Sequence, residues 1–324
     1  MSANYSSDTK IRTIRFHAYG EPADVLRLER TDMPSPGAGR IRMAVHACAL
    51  NPADWALCRG LFPGALPRGI GLDVSGVVDA IGEDVTDVTI GDRVLGAADF
   101  AGANVAGASD FAILDHWARM PASLEFTEAA ALPLAVVTAC GSLDLLGVSA
   151  GKTLVVHGAG TTIGFAAVQI ALLRGARVFA TAGDTHAERL RALGATVTAY
   201  GEGMAERILE LAGGPVELAL DTAPVNVSST VSGALPDLIR IVGGDPRRVL
   251  TIVDFATAAK LGVRTNVGEA TTVRYDVLGE FAQLAAEGRF AIPIARTFAL
   301  EDWRTALDVS QSGRARGKLV LLPR

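Results

Sequence analysis

A glycine-rich segment between a strand pattern and a helix pattern constrains the fold of this 324-residue chain more than any other feature. The apolar run at residues 153–157 leads directly into Gly158-x-Gly160-x-x-x-Gly164, and a helix pattern begins at about residue 163. Gly158 permits a tight turn, Gly160 lets the backbone approach a diphosphate, and Gly164 lets the helix pack closely on the strand. The N–H groups of the helix N-terminus favour the same anion. The segment therefore predicts a dinucleotide-binding loop, and a glycine-rich turn without a ligand is the alternative.

The chain after about residue 127 continues to alternate strand patterns with helix patterns. A second helix pattern at residues 186–193 ends at Gly194, a common helix-stop residue. Further strand-like runs occur at residues 176–181, 196–200, 216–221 and 248–253. Strands separated by helical stretches form parallel βαβ units with right-handed crossovers. This part of the chain therefore predicts a doubly wound parallel sheet.

Residues up to about 125 have a different character, with short β-type runs between turn residues. The runs at residues 11–17, 41–49 and 74–81 are rich in apolar and β-branched residues and are bounded by glycines and prolines. This pattern predicts a mostly antiparallel β domain. A chain of this length is expected to form two domains, and the two patterns supply them.

Composition excludes several classes of protein. The chain is 49% hydrophobic, with a formal net charge of −5 and a pI of 5.6, which argues against a nucleic-acid-binding surface. No apolar run reaches the roughly 18 residues of a membrane span, and the polar N-terminus lacks the apolar core of a secretion signal. Three scattered cysteines predict neither a disulfide framework nor a Cys-rich zinc site. We therefore expect a soluble, cytoplasmic protein.

The end of the second strand in the dinucleotide-binding unit bears on the choice between NADPH and NADH. An acidic residue usually stands there in NAD-binding proteins and holds the ribose 2′-hydroxyl. Here the strand ends in Thr181-Ala182-Gly183, and nothing in that triplet repels a 2′-phosphate. Arg189 in the following helix is a candidate partner of the phosphate, although a solvated helix face is the alternative and Asp184 argues for NADH. The pattern favours NADPH over NADH.

Several motifs, in the same order along nearly the whole chain, resemble the zinc-independent quinone oxidoreductases of the medium-chain dehydrogenase/reductase superfamily. Besides the glycine loop, the motifs are VHACALNPAD at 45–54, GLDVSGVV at 71–78, GDRVLG at 91–96, ALPLAVVTA at 131–139 and GKLVL at 317–321. Several spaced motifs in the same order indicate this family far more specifically than the glycine loop alone does. Residues 157–182 are also similar to the enoyl reductase modules of polyketide and fatty-acid synthases.

The resemblance implies an α/β fold of two domains. A GroES-like, mostly antiparallel β domain is expected from residues 1–126 and 290–324, and a Rossmann domain with a doubly wound parallel sheet is expected from residues 127–289. Proteins of this family commonly pair through an edge strand of the Rossmann sheet. The strand at 248–253, with its following segment, is the expected contact of a homodimer.

The resemblance also implies roles for individual residues. Asn51 matches the family asparagine near the nicotinamide and is the expected catalytic residue. Thr138 matches a threonine on the nicotinamide side and is expected to line both the cofactor site and the substrate pocket. Gly183 and Tyr200 match positions around the adenosine 2′-phosphate. The lysine that relatives carry between these two positions is absent, which leaves Arg189 as its substitute.

The expected cofactor-binding residues combine these matches with residues chosen by their place in the chain: Thr138, Gly158, Gly160, Thr161, Thr162, Ile163, Gly164, Gly183, Arg189, Tyr200, Phe255 and Lys318. Phe255 either borders the nicotinamide or belongs to the core. Lys318 either contacts the cofactor phosphates or lies on a solvated surface. Trp55, assigned to the substrate pocket, either stacks on a flat substrate or is a core aromatic residue. Thr161-Thr162 replace the double glycine of the family and are expected to shift or tighten the diphosphate contact.

The residue types at the expected site argue against a metal. Zinc-dependent relatives carry a cysteine at Asn51 and a His-Glu pair at Leu72-Asp73, and they have a four-cysteine lobe that this chain lacks. Catalytic zinc needs about three N, S or O ligands around an open position, and no two of the five histidines share a ligand-like spacing. His157 is interpreted as a packed or hydrogen-bonded residue. No metal is expected, and alcohol oxidation is disfavoured.

These features predict an NADPH-dependent, metal-independent enzyme that transfers hydride to a quinone or an α,β-unsaturated carbonyl. We expect the Asn51 amide or a backbone N–H to stabilise the oxygen that gains charge, and water to supply the proton. The sequence does not separate the two acceptors, because the pocket floor falls in loops near residues 61–67 and 266–271. The alternative is an NADPH-binding protein without turnover, either redox-sensing or structural and crystallin-like.

Overall fold

The computed structural model describes residues 10–98, 104–224, 233–267 and 273–324. Residues 268–271 of the expected pocket floor lie outside the described residues. Within the described ranges, no helix has the length and apolar character needed to cross a membrane.

The strands of the described residues are, in chain order, β1 (Lys10–Phe16), β2 (Arg27–Asp32), β3 (Ile41–Leu50), β4 (Arg68–Gly69), β5 (Asp73–Ile81), β6 (Arg93–Ala98), β7 (Phe111–Arg119), β8 (Thr153–His157), β9 (Arg177–Thr181), β10 (Thr196–Thr198), β11 (Leu218–Asp221), β12 (Val249–Thr251), β13 (Arg264–Thr265), β14 (Ile294–Ala299) and β15 (Lys318–Leu322). The α-helices of the same residues are α1 (Pro22–Val25), α2 (Pro52–Cys58), α3 (Phe126–Ala130), α4 (Pro133–Leu146), α5 (Thr162–Leu173), α6 (Asp184–Ala192), α7 (Met204–Ala212), α8 (Leu235–Ile241), α9 (Phe255–Leu261), α10 (Leu278–Ala286) and α11 (Trp303–Gln311). Short 3-10 turns cover Pro246–Arg248, Tyr275–Val277 and Leu300–Asp302.

The chain divides into two compact units. The first contains Met1–Leu134 and Tyr275–Arg324, and the second contains Ala135–Arg274. These bounds differ from the expected ones, because the first unit also includes α3 and α10. Helix α3 packs on β3 and β5, and α10 packs on β7. Both helices therefore belong to the β unit by packing, although they precede and follow the parallel sheet in the sequence.

The first unit is built on a six-stranded sheet in the order β14-β15-β3-β5-β6-β7, and β7 also pairs with β3. The described pairs of this sheet are antiparallel except β14 with β15. In β3 the side chains at Ile41, Met43 and Val45 are buried while the residues between them are half-buried, the alternation of a sheet with one face on a core. The C-terminal residues Trp303 and Leu321 join the same core. The prediction of a mostly antiparallel, GroES-like domain is confirmed.

The second unit is built on a six-stranded parallel sheet in the order β10-β9-β8-β11-β12-β13. The chain builds outward from β8 to β10 and then returns to start β11 on the other side of β8. Ligands of such sheets bind outside the carboxyl ends of the strands, at the point where the order reverses. The α/β fold with a Rossmann-type parallel sheet is therefore confirmed. The glycine loop follows β8, one of the two strands at this point.

The expected dimer contact, the strand at 248–253 with its following segment, corresponds to β12 and β13. The strand predicted at residues 248–253 corresponds to β12, and β12 pairs with β11 on one side and with β13 on the other. Of the described strands, β13 (Arg264–Thr265) and not β12 lies at that edge of the sheet. The free edge that strand pairing requires is therefore in the segment that follows the predicted strand, and a homodimer through it stays a prediction.

Candidate functional site

The glycine loop of the second unit is a tight turn that only these residue types allow. Gly158 has φ +75°, and a Cβ there would lie 2.6 Å from the backbone nitrogen of Ala223. A Cβ at Gly164 would overlap the carbonyl oxygen of Gly158. Both positions therefore require glycine. The turn places Gly160 and the start of α5 at the carboxyl end of β8.

Two threonine hydroxyls hold this loop. Thr161 is the N-cap of α5, and its hydroxyl accepts a 3.0 Å hydrogen bond from the Gly164 N–H. The Thr222 hydroxyl lies 3.0 Å from the Thr161 hydroxyl, 2.9 Å from the carbonyl oxygen of His157 and 3.0 Å from that of Gly158. Thr161 stands where relatives have glycine, and its side chain caps the helix. Thr222 was not among the predicted site residues, because only the pairing of β11 with β8 brings it to the loop.

The loop fits the diphosphate of a dinucleotide. A Cβ built at Gly160 would have only one heavy atom within 4 Å, the His186 Cδ2 at 3.4 Å, so the outer side of the loop is open. The first-turn N–H groups of a helix have no intrahelical partner. The Thr161 hydroxyl accepts from the Gly164 N–H. The N–H groups of Thr162 and Ile163 are therefore left for an anion, which the positive end of the helix attracts.

The residues expected around a 2′-phosphate lie at the ends of neighbouring strands. A Cβ built at Gly183 would lie 3.8 Å from the Tyr200 hydroxyl oxygen, so these two residues are adjacent, and Tyr200 is 61% exposed. Arg189 is exposed on α6, and its guanidinium carbon lies 5.2 Å from the centre of the Phe165 ring, within range of a cation–π contact. The structure thus brings Gly183 and Tyr200 together, and the contact of Arg189 with a phosphate stays a prediction.

His157 ends β8 as a buried, hydrogen-bonded residue, as interpreted from the sequence. Its Nδ1 lies 2.7 Å from the Thr181 hydroxyl, and that oxygen accepts a 3.2 Å hydrogen bond from the Gly158 N–H. The Thr181 hydroxyl thus joins the imidazole ring to the first residue of the glycine loop. Burial lowers the pKa of His157 to about 4. The side chain is neutral at pH 7 and ties the ends of β8 and β9 together.

Asp221 and Phe255 lie at the carboxyl ends of the next two strands. The Asp221 carboxylate accepts hydrogen bonds from the Thr251 hydroxyl at 2.8 Å and from the Ala223 N–H at 3.2 Å. Burial raises the pKa of Asp221 to about 6. The core interpretation of Phe255 is wrong, because this first residue of α9 is 44% exposed. Its contact with a nicotinamide stays a prediction.

In the first unit, Asn51 belongs to a buried polar cluster with Asp73 and Lys318. The Asn51 Nδ2 donates to the Asp73 Oδ2 at 3.0 Å, and the Lys318 ammonium donates to the Asn51 Oδ1 and, at 2.8 Å, to the Asp73 Oδ2. The Asp73 Oδ1 accepts a 2.8 Å hydrogen bond from the Leu134 N–H. The three side chains are between 1% and 4% exposed. We name them the Asn–Asp–Lys cluster.

The strand order explains why these three residues meet. Strands β15, β3 and β5 are neighbours, with Leu319 opposite Leu50 and Asp73 opposite Ala49. The cluster residues lie at the ends of these strands beside those pairs. The surface interpretation of Lys318 is wrong, since the ammonium is buried against a carboxylate, and its contact with a cofactor phosphate stays a prediction. The signal was present in two of the quoted motifs, GLDVSG and GKLVL, but nothing in the sequence pairs them.

Asp54 fixes the start of α2 next to this cluster. Its Oδ2 accepts a 2.7 Å hydrogen bond from the Asn51 N–H, and its Oδ1 accepts a 2.8 Å hydrogen bond from the Gly71 N–H. Burial, together with the negative charge of Asp73, raises the pKa of Asp54 to about 7. The carboxyl group holds the backbone that carries Asn51, and its protonation is sensitive to pH near neutrality.

The assignment of Trp55 to the substrate pocket needs a correction. Trp55 is 4% exposed within the core of the first unit, and its indole N–H donates a 2.7 Å hydrogen bond to the Ser310 hydroxyl. A ring enclosed on both faces cannot stack on a substrate, so the core interpretation holds. Thr138 lies in the middle of α4 and is half-buried. Its contact with the nicotinamide stays a prediction.

Among the described residues, no group of three His, Cys, Asp or Glu side chains is arranged to hold a metal ion. The three cysteines are buried, and none of them forms a disulfide. The expectation that the protein uses no metal remains a prediction.

Two family models match the chain. Residues 37–121 match the alcohol dehydrogenase GroES-like domain, and residues 193–321 match the zinc-binding dehydrogenase family. The first match falls in the first unit, and the second match begins within the parallel sheet and continues into the C-terminal part of the first unit.

Curated relatives match about half of the chain. The quinone oxidoreductase of Sus scrofa is 34% identical over 183 residues, which are 55% of this chain and 54% of that protein. The spectinabilin polyketide synthase system protein NorB of Streptomyces orinoci is 40% identical over 159 residues, 48% of this chain and 7% of that protein. The chain thus matches about half of one relative's length and a small part of the other's.

A solved structure matches nearly the whole chain. The quinone oxidoreductase from Coxiella burnetii has a TM-score of 0.81 and 28% sequence identity, and the match covers 98% of this chain and 100% of that chain. The motifs, both sheets and these matches agree. The chain belongs to the medium-chain dehydrogenase/reductase superfamily and is a quinone oxidoreductase-like member of it.

Proposed function

We propose that this protein is an oxidoreductase that uses NADPH to reduce a quinone or an α,β-unsaturated carbonyl without a metal. The geometry of the glycine loop carries the proposal: a turn that requires glycine at 158 and 164 presents an open Gly160 and a helix N-terminus. When bound, the reduced nicotinamide supplies the hydride. The similarity to quinone oxidoreductases supports the acceptor class.

The residues of the second unit have the task of binding and orienting the dinucleotide. The N–H groups of Thr162 and Ile163 bind the diphosphate, and the hydroxyls of Thr161 and Thr222 keep the loop in the shape that presents them. The absence of a carboxylate in the Thr181-Ala182-Gly183 triplet supports NADPH over NADH. The exposed Tyr200 beside Gly183 is available to a 2′-phosphate.

The residues of the first unit have the task of stabilising the acceptor. When a conjugated carbon accepts a hydride, negative charge develops on the carbonyl or quinone oxygen, and a preorganised N–H donor lowers the energy of that state. The Asn51 amide is such a donor, because its partners hold it in place. Water supplies the proton to the oxygen. Alcohol oxidation is disfavoured, because Asn51 and Leu72-Asp73 stand where zinc-dependent relatives carry their ligands.

The test is a panel of 1,4-benzoquinone, a naphthoquinone, an enone and an enal, each with NADPH and with NADH, followed at the nicotinamide absorbance. We expect oxidation of NADPH by at least one acceptor and a lower kcat/KM with NADH. Binding of NADPH without turnover of any acceptor would instead indicate a redox-sensing or structural protein.

A pair of glycine variants tests the cofactor site separately. Gly160→Ala places a methyl group on the open side of the loop, where only the His186 ring is within 4 Å, so the fold tolerates it while the diphosphate is obstructed. Gly141→Ala, in α4 with nothing within 4 Å of its Cβ, is the matched control. We expect a calorimetric titration to show weaker NADPH binding only for Gly160→Ala. Equal NADPH affinities of the two variants would show that the loop is not part of the cofactor site.

A further inference from the structure

We infer that Lys318 and Asp73 are positioning residues that hold the Asn51 amide in a single orientation, an inference that rests on the proposed donor function of Asn51. Asn51 has two chemically different ends, and each has a partner of the opposite kind. The Lys318 ammonium, which only donates, faces Oδ1, and the Asp73 carboxylate faces Nδ2. Rotation of the amide by 180° would place Nδ2 against the Lys318 ammonium and Oδ1 against the Asp73 carboxylate. The two partners therefore permit one orientation of the amide.

This orientation leaves one N–H of Asn51 for an acceptor. The amide nitrogen carries two hydrogens, and one of them is directed to Asp73 at 3.0 Å. Among the described residues, the other oxygen that accepts from Nδ2 is the carbonyl of Ala49 at 3.4 Å, which is long for a hydrogen bond. An acceptor oxygen therefore competes with a weak contact only.

The ammonium also strengthens the donor. A cation at the amide oxygen withdraws electron density from the amide, and hydrogen bonds in such chains polarise one another. Because Asp73 balances the charge of Lys318 at 2.8 Å, the cluster carries this cation without a net buried charge. The Leu134 N–H fixes the second oxygen of Asp73. The cluster thus gives a neutral side chain part of the character of a cationic donor.

The direct test is hydrogen exchange of the Asn51 side-chain amide, followed by NMR and assigned from the pair of signals that Asn51→Ala removes. In Lys318→Met, which keeps the aliphatic stem, we expect exchange to accelerate about tenfold, as for the loss of one charge-assisted hydrogen bond. Lys152→Met is the matched control, because Lys152 makes an exposed 2.7 Å pair with Glu217 in the second unit. Unchanged exchange in Lys318→Met would overturn the inference.

A double-mutant cycle tests the same inference in the reaction. Lys318→Met is expected to lower kcat in the wild-type background and to have no further effect in the Asn51→Ala background. If the effects of the two substitutions on kcat add, Lys318 does not act through Asn51, and the inference is wrong while the proposed function stands. If the wild type reduced no acceptor, the proposed function would fail, and amide exchange would still decide the positioning. If Lys318→Met does not fold, Lys318→Arg replaces it in the exchange measurement and in the double-mutant cycle. This variant keeps the charge but changes the donor geometry.

Discussion

The Thr251 hydroxyl donates a 2.8 Å hydrogen bond to the Asp221 carboxylate and so joins the carboxyl ends of β12 and β11. The same oxygen accepts hydrogen bonds from the N–H groups of Val253 at 3.2 Å and Asp254 at 3.1 Å. One buried hydroxyl therefore organises the turn that leads from the sheet into α9. The relationship matters because this edge of a parallel sheet is where a dinucleotide is expected.

Replacing Thr251 with valine keeps the volume but removes the hydroxyl that the buried Asp221 carboxylate and the N–H groups of Val253 and Asp254 bind. We expect the free energy of unfolding to fall by about 1–3 kcal/mol in a denaturant titration. Thr257→Val, at a half-buried position on α9, is the control and should change stability little. A stability of Thr251→Val equal to that of the control would show that the hydroxyl does not organise this turn.

The contribution of Asp54 to stability should decrease as the pH rises from about 4 to about 7. Burial raises the pKa of Asp54 from 3.8 to about 7 in the folded protein, so the folded state keeps a proton that the unfolded state loses. The contribution of this group is complete below pH 3.8 and is lost as the pH rises through 7. At ~1.4 kcal/mol per pKa unit, the decrease amounts to a few kcal/mol.

Asp54→Asn isolates this effect. The variant cannot titrate at position 54, so the free energy of unfolding of the wild type minus that of the variant should be largest at pH 4 and should shrink towards pH 7. Denaturant titrations of both proteins at several pH values make the comparison. Parallel pH profiles for the two proteins would contradict the assignment to Asp54.

Ser310→Ala should destabilise the first unit without changing the choice of acceptor. The substitution removes the acceptor of the buried Trp55 indole N–H, which lies 2.7 Å from the Ser310 hydroxyl, and an unpaired buried donor costs about 1–3 kcal/mol. Thermal unfolding and the acceptor panel are the measurements. If the variant has an altered KM for acceptors but an unchanged stability, Trp55 belongs to the substrate pocket and the core interpretation is wrong.

Thr161 should contribute to stability through its cap. Thr161→Ala removes the hydroxyl that caps α5 and is expected to cost about 1 kcal/mol, whereas Thr161→Gly, the residue type of relatives, should cost only a few tenths. The NADPH affinity of Thr161→Ala should fall as well, because the Gly164 N–H loses its acceptor and the loop loses one support. If the alanine and glycine variants are equally stable, the hydroxyl does not act as a cap.

Regular elements with clear periodicity were predictable from the sequence. The strand Thr153–His157 begins and ends as predicted, and α5 begins one residue before the predicted helix. Helix α4 was not predicted, because most of its residues are apolar and they show no helical periodicity. The third strand of the Rossmann sheet ends at Thr198, two residues before the predicted end, since Tyr200 has already left the ladder.

By itself, the sequence determined the positions at which only one residue type works locally. A glycine at 158 or 164, the alternation of β3 and the order of strands and helices all follow from backbone geometry and from periodicity within a few residues. Tertiary structure decided which distant groups became partners. Asn51, Asp73 and Lys318 lie far apart along the chain. They meet only because β15, β3 and β5 are adjacent strands of one sheet. Burial then made their pairing necessary, because an ammonium removed from water must find a carboxylate.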